Sequence, residues 1–376
     1  MLWTPLSMTP YTLYGAEISY YTGKVRAFLQ WKGLPFVEVP ATGDVYRQVI
    51  LPRIGFAVIP VLETPEAATL QDSTDIIEAL DRQHGEPSVF PCGGVQRLAS
   101  ALLELYGDEW LLIPAMHYRW HHNREWALRA FGALNAPEAS PEEQLELGTR
   151  RAAPFAQAAV LLGAMPHMHS AIERSYEDLL AELNAHFAEH PYLLGARPSI
   201  GDFGLYGPLY AHQYRDPASG ALMRRLAPHV VAWVERMQQP PTPRSGDFLS
   251  GDTLPPTLLP VLHRMMREQM PVLEDTARRL NAWLAENPGI PVPRTLGKHG
   301  FTLEGEHGER IVRPYALWML QRARDIYRTL TPLERAQADQ YLDAIGGQAL
   351  RNFPDPPRLV RDGMSVALAP AQPLGK

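Results

Sequence analysis

Hydrophobic and polar positions switch between two periods over the first ninety residues. Tyr11-Thr12-Leu13-Tyr14 reads as a short strand. Val25, Phe28, Leu29 and Lys32 follow helical spacing; Gly33 stops that helix and Pro35 prevents its continuation. Phe36-Val37-Glu38-Val39 alternates as a second strand does. A looser segment follows with Val45, Val49 and Ile50 on one helical face. Val58-Ile59-Pro60-Val61-Leu62 is an apolar strand interrupted by proline, and Thr69-Leu70 leads into a helix with Ile76, Ile77 and Leu80 on one side. The predicted order is β-α-β-α-β-β-α, and strand–helix–strand alternation favours parallel pairing.

Beyond a linker near Pro91-Cys92-Gly93-Gly94 the pattern is helical. Leu98, Leu102 and Leu105 mark one helix, and Ile172, Tyr176, Leu179, Leu180, Leu183 and Phe187 a clear amphipathic one. A further helix holds Phe203, Leu205, Tyr206 and Leu209. Pro240-Pro241-Thr242-Pro243 and Pro255-Pro256 mark a linker or surface-hugging segment. Helices are predicted over Leu258 to Met270, Leu273 to Leu284 and Tyr315 to Leu330, with a hairpin between Phe301 and Val312 around Gly305-Glu306-His307-Gly308. Thr331-Pro332-Leu333-Glu334 is a capping box with proline at the first helical position, and Gly346-Gly347 ends the helix it starts.

Length and composition narrow the classes. The 376 residues suit two or three domains, and 45 % apolar with 20 % charged residues is ordinary for a soluble globular chain. A net charge of −6 argues against a general nucleic-acid binder. No apolar run reaches the ~18 residues that span a bilayer, so no membrane partner is expected. Met1-Leu2-Trp3-Thr4-Pro5 lacks the basic and apolar regions of a secretory signal. The single Cys92 excludes an internal disulfide and any multi-cysteine metal site, which suits a reducing, cytoplasmic setting. The 36 prolines, roughly twice average usage, act as punctuation between helices.

Four short motifs then fall in a specific order: Lys24-Val25-Arg26, Ile59-Pro60, Asp72-Ser73 and Ser199-Ile200-Gly201-Asp202. Together they resemble the glutathione transferase superfamily over roughly residues 10–240. The resemblance implies an α/β thioredoxin-like domain at 10–90 that binds glutathione. It implies an all-helical second domain at 95–240, and residues 241–376 form a mostly helical extension that packs on it. The extension either roofs the acceptor pocket or alters the dimer contact common in the family.

The resemblance also assigns roles. Ser19 stands where the family places the hydroxyl or thiol that contacts the glutathione sulfur. A thiol of pKa ~8.5 is only a few per cent thiolate at pH 7, and a donated hydrogen bond plus a helix N-terminus favours the anion. Lowering that pKa by two units takes about 2.7 kcal/mol, within reach of one charge-assisted hydrogen bond and the helix end. Ser19 and Thr22 are equally suited to be plain helix caps. Tyr20 replaces the usual proline, so Tyr20 or Tyr21 is an alternative partner for the sulfur. Pro60 is expected to be cis, with Ile59 offering its main chain to the peptide as an added strand. Asp72 and Ser73 start a helix whose N-terminus suits the γ-glutamyl carboxylate, with the acid for its ammonium, although both also suit a cap.

Tyr106, Trp110 and Tyr118, with Asp108 and Trp120 nearby, fall where the family builds its apolar acceptor pocket, while aromatic residues at helical spacing are more often core. Ser199 and Asp202 have capping-box spacing, which argues for folding and against a catalytic pair. His117, His121 and His122 have helical spacing open to metal ligation, with Glu125 as a further ligand. Residues lining a cleft are the commoner outcome, for these and for His167 and His169, and no metal is assigned.

The reading is a glutathione-dependent transferase. Its thiolate attacks an apolar electrophile, and a lyase, isomerase or peroxidase variant is open. Glutathione is the co-substrate and a homodimer the expected assembly. The alternative is a non-catalytic binding or scaffolding protein of the same fold.

Overall fold

The computed structural model describes residues 9–239 and 246–370. The chain start at Met1–Pro5 and the Pro240–Pro243 stretch, read above as lacking a signal and as a linker, lie outside the described residues.

Strands β1 (Tyr11–Gly15), β2 (Phe36–Pro40), β3 (Val61–Glu63) and β4 (Thr69–Gln71) form one sheet in the order β2-β1-β3-β4. Only β1 and β2 are parallel; β3 runs antiparallel to β1 and β4 to β3. The parallel preference drawn from the sequence thus holds for the first pair alone; β3 and β4 are joined by a short turn, which pairs them antiparallel. Between β2 and β3 the looser segment is two short helices, α2 (Gly43–Val45) and α3 (Leu51–Ile54), joined by a wider-wound turn. The strand expected from Val58 begins only at Val61.

Alternation along the strands sorts side chains to two faces. Leu13 and Leu62 are opposite one another and pack with Val25, Phe28 and Leu29 of α1 (Tyr20–Lys32) and with Ile76, Ile77 and Leu80 of α4 (Ser73–His84). Tyr14 and Val61 face the other way, onto Ala41 and Ile50. Gly33 ends α1 at φ 67°, donating to the carbonyls of Gln30 and Leu29. That left-handed cap is cheap only for glycine.

The second layer is helical: α5 (Gly94–Leu105), α6 (Leu112–His117), α7 (Arg124–Asn135), α8 (Pro141–Leu161), α9 (His169–Glu189), α10 (Ile200–Pro208), α11 (Pro217–Leu226) and α12 (Pro228–Met237). Gly107 lies so close to α10 that a Cβ there would sit 2.3 Å from the Gly204 carbonyl oxygen. This contact brings the neighbouring Asp108 against the first domain. Asp202 accepts from the N–H and hydroxyl of Ser199, from Leu193 N–H and from Trp233 Nε1, all fully buried, so the pair caps α10.

The third part comprises α13 (Leu259–Glu268), α14 (Met270–Glu286), a hairpin of β5 (Lys298–Leu303) and β6 (Glu306–Ile311), α15 (Tyr315–Thr329), α16 (Pro332–Ala344), α17 (Gln348–Arg351) and a second hairpin, β7 (Leu359–Asp362) with β8 (Ser365–Leu368). It is wedged onto the rest. Helix α5 starts after Gly93, which has no side chain to cap it. Its first N–H groups instead donate to Glu334 and Asp252: Gly94 to Glu334 at 3.1 Å, Val95 and Gln96 to Asp252 at 2.8 and 2.9 Å. No helix among the described residues is long and apolar enough to cross a membrane.

Candidate functional site

Register builds the site at one end of the sheet. Tyr14 faces Val61, and Val61 faces Gln71. Because β3 runs antiparallel to β1 and β4, its start at Val61 lies beside the ends of both, so Ile59, the turn that follows Gly15 and the start of α4 after Gln71 all leave the sheet at the same end. Three predicted contributors, the turn before α1, Ile59 and the start of α4, therefore converge. The Ile59–Pro60 peptide is cis. Neither the N–H nor the C=O of Ile59 is taken by another group among the described residues.

Ser19 is the N-cap of α1, half-buried, and its oxygen accepts from the Thr22 N–H at 3.3 Å. A hydroxyl that accepts still has its own proton to donate. Two arginines hold the turn from below. Arg119 donates to the Ile18 carbonyl at 2.8 Å and pairs twice with Asp216, at 2.8 Å each, in a fully enclosed fork. Arg26 pairs with Glu38 at 2.6 and 2.7 Å and reaches the Ala16 carbonyl at 3.4 Å. Arg119 was not read from the sequence, since its partners lie about a hundred residues away in both directions.

Tyr20 is placed differently from the expectation. Its side chain is buried, and its hydroxyl donates to the Gly107 carbonyl, so its one proton is already committed. Burial also raises its pKa well above the usual phenol value. The Tyr21 hydroxyl donates to the Asp108 carbonyl at 2.9 Å. Tyr20 and Tyr21 have committed their protons to carbonyls, whereas the hydroxyls of Ser19 and of the fully buried Thr22 only accept; of these two, Ser19 is the one that is not fully buried.

The expected aromatic pocket is filled. Tyr106, Trp110 and Tyr118 are buried, and Tyr106 and Trp110 border an enclosed cavity of only about 10 Å³. That is about the room one water needs. The third part of the chain occupies the space: Phe301 meets Trp110 edge-on at 5.9 Å, Arg310 lies over the same ring at 5.1 Å, and Trp110 Nε1 donates to Glu268 at 3.0 Å. A wider cavity of about 620 Å³ lies between α4, α5 and α15, lined among others by Glu78, Trp318, Arg322 and Arg361, and includes none of the predicted site residues.

The third part also touches the sheet end itself. Asp72 caps α4 by accepting from the Thr74 N–H at 2.9 Å, and it does so at φ 79°, a conformation costly for a residue with a Cβ. Its second oxygen accepts from the Tyr315 hydroxyl. Arg361 donates to Asp75 at 2.6 Å and to the Gln71 carbonyl at 2.9 Å. Ser73 is buried at the first turn of α4, and its hydroxyl has no partner among the described residues.

Behind the site, Lys24 is fully buried and donates to Glu104 at 2.7 Å, Asp108 at 2.6 Å and Thr74 at 3.1 Å. Arg322 of α15 reaches Glu104 at 2.6 Å from the other side. Burial by itself would push Glu104 up, but Arg322 and Lys24 hold it down at about 2. Asp108 has one unpartnered oxygen, and burial outweighs the neighbouring Lys24 to push it up to about 8.

The histidines gather against α9. His117 Nε2 and His122 Nε2 share one oxygen of Glu173, at 2.9 and 2.7 Å, and the His121 and His169 rings pack beside them. The nearby Glu125 pairs with Arg129 instead, and His167 bonds the His307 carbonyl.

Residues 13–88 match the glutathione S-transferase N-terminal domain and residues 157–236 the glutathione S-transferase C-terminal domain. No curated protein matches the chain. Among solved structures the chain is similar to a glutathione S-transferase from Rhodospirillum rubrum F11, with 17 % identity over 65 % of this chain and 96 % of that one and a TM-score of 0.39. It is similar to the beta-etherase LigF from Sphingobium sp. strain SYK-6, with 19 % identity over 62 % and 96 % of the two chains and a TM-score of 0.46. It is also similar to a glutathione S-transferase from Methylobacterium radiotolerans in complex with glutathione sulfonate, with 21 % identity over 62 % and 92 % and a TM-score of 0.39.

Proposed function

We propose, for a chain that belongs to the glutathione S-transferase superfamily through residues 13–88 and 157–236, that it is an enzyme using glutathione as co-substrate, with Ser19 stabilising the thiolate. The observation that carries this reading is the Ser19 hydroxyl, which accepts from Thr22 N–H and so keeps its proton for a sulfur. The N-terminus of α1 adds its partial positive charge at the same place. In this reading the unpaired main chain of Ile59 pairs with the cysteinyl residue, and Pro60 shapes that edge. Ser73 and the first turn of α4 take the γ-glutamyl carboxylate, and Asp72 its ammonium.

The thiolate then attacks an electrophilic carbon, and the leaving group departs with the bonding pair. Because Tyr106 and Trp110 are packed against the third part of the chain and Tyr118 against Tyr176 of α9, the apolar acceptor reaches the sulfur from the solvent side of the half-buried Ser19. A cytoplasmic setting and pairing of two copies belong to the same proposal; sedimentation of the purified chain checks the second. A non-catalytic binding role is favoured by one observation, the Tyr315 hydroxyl already seated on Asp72.

Calorimetric titration of reduced glutathione, beside Ser73→Ala, tests the site. Micromolar to low-millimolar binding that weakens in the variant supports it; no binding at millimolar peptide removes glutathione from the account. Thiolate absorbance of the bound peptide then separates the two readings. Loss of one charge-assisted hydrogen bond, ~1.5–3 kcal/mol, should raise the bound thiol's pKa by about one to two units in Ser19→Ala. Glutathione binding with an unshifted thiol and no turnover of electrophiles would favour the binding role.

A further inference from the structure

We propose that His117, His122 and Glu173 form a binding site for one divalent transition-metal ion of the zinc type, separate from the glutathione end of the sheet. His117 closes α6, His122 ends the wider-wound turn that follows, and Glu173 lies one turn into α9. The two Nε2 atoms and a carboxylate oxygen of Glu173 all lie within 4.8 Å of one another. Four-coordinate zinc with bonds of ~2.0–2.1 Å needs ligand atoms about 3.3 Å apart. The present hydrogen-bonded contacts of 2.9 and 2.7 Å would need to open by only about half an ångström.

Two further imidazoles stand within reach of the group. The His169 ring is 4.4 Å from that of His117 and 4.3 Å from that of His121, and His121 stacks on His117 at 5.2 Å. Four imidazoles and a carboxylate on two facing helices serve packing poorly. His117 is 1 % exposed, and its Nδ1 has no hydrogen-bond partner. An apolar side chain would fill that position without an orphaned nitrogen.

The surroundings suit an accessible site. His117 forms the floor, while the His122 and Glu173 side chains are 36 % and 32 % exposed, so an ion can enter from solvent and keep a water or take a further imidazole. Two imidazoles and one carboxylate favour zinc, nickel or copper over magnesium or calcium, which prefer all-oxygen sets. The ion would staple the segment following α6 to α9, two elements whose contact at this point is otherwise carried by Glu173 alone among the polar groups named here.

The test is calorimetric titration of zinc ion alone into the untagged full chain, stripped with chelator beforehand. One equivalent should bind at micromolar affinity or tighter, and the melting temperature should rise in its presence. His122→Ala, at an exposed position, and Glu173→Gln, at a half-buried one, should each weaken binding at least tenfold. His229→Ala, an exposed histidine on α12, should leave it unchanged. Cobalt substituted for zinc should give the visible spectrum of a four-coordinate site with nitrogen and oxygen ligands. No saturable binding below about 100 µM, or equal affinity in all the variants, would overturn the assignment.

Discussion

Glu104→Gln removes the centre of the buried charge network while keeping its shape. The carboxylate is fully enclosed and accepts from Lys24 at 2.7 Å, Arg322 at 2.6 Å and Thr74 at 2.8 Å. An amide there cancels one negative charge and turns an NH₂ group toward a cation. Breaking a buried pair typically costs ~3–5 kcal/mol, because the partner is left charged and unsolvated. Here both cations have a second acid: Arg322 keeps Glu78, and neutralising Glu104 removes one of the charges that hold Asp108 up, so that Asp108 can ionise beside Lys24 at 2.6 Å. The expected loss is therefore at the lower end, about 3 kcal/mol. With ~2.1 cal/mol/K of unfolding entropy per residue, a unit this size should melt roughly 4 °C lower. Guanidinium unfolding followed by tryptophan fluorescence and by far-ultraviolet dichroism gives the free energy and shows whether α15 leaves with the rest. The double variant Glu104→Gln, Arg322→Met restores neutrality and should recover part of the loss, giving a coupling of about 1–3 kcal/mol. There is also an acid limb. Glu104 sits at about 2 when folded, below its unfolded value of 4.5, so its contribution is complete above 4.5 and disappears as pH falls toward 2. The variant should lack that part of the acid loss. A loss under about 1 kcal/mol with no coupling to Arg322 would refute the network's role in fastening the third part of the chain.

Three other outcomes are expected. Tyr315→Phe removes the hydroxyl on Asp72, frees that oxygen for an ammonium, and should tighten glutathione binding by up to about tenfold, read by calorimetry; unchanged binding would separate Asp72 from the peptide. Asp252→Ala strips the cap supplied from a distance to α5 and should cost about 1–2 kcal/mol in urea unfolding, with fraying at Gly94 to Gln96 visible as faster amide exchange. His186 is fully buried between Thr257 and the Tyr192 carbonyl, and burial lowers its pKa to about 4 against 6.5 unfolded. Its contribution is complete above pH 6.5 and is lost as pH falls toward 4, by up to about 1.4 kcal/mol per pH unit, and His186→Gln should flatten that slope in urea midpoints measured between pH 7.5 and 4.5.

What the sequence made legible depends on how far each residue's partners lie along the chain. Gly33 and the Thr331–Glu334 capping box act within one turn, and both form as their residue types suggest. The parallel β1–β2 pair follows from the helix between them, whereas the antiparallel turn to β3 depends on a contact across about fifty residues that periodicity does not carry. The β7–β8 hairpin had a usable local signal, Gly363 at φ 57° between alternating residues, and went unread. Ser19, Ile59 and Ser73 are named as candidates through the resemblance and not through any pattern of their own. Tyr20 stands in the right turn, but its fate is decided by the Gly107 carbonyl, eighty-seven positions on. The aromatic residues at 106, 110 and 118 have the same spacing whether they face solvent, a substrate or another helix; Phe301 decides it for Trp110 and Tyr176 of α9 for Tyr118. The histidines show the converse. Their spacing pairs His117 with His121 on one helical face, whereas the structure joins His117 to His122 through Glu173, an acid that enters from α9 and not from the adjacent Glu125. Spacing along one helix nominates ligands; the facing helix determines whether they share a centre. The same division separates Asp72 from Ser73. Both sit at the start of α4, but Asp72 is already engaged by Tyr315 from 243 residues away, while the Ser73 hydroxyl has no partner among the described residues. A ligand that needs both must therefore displace or share the Tyr315 bond, so its affinity should report on the third part of the chain as directly as on the domain that holds it.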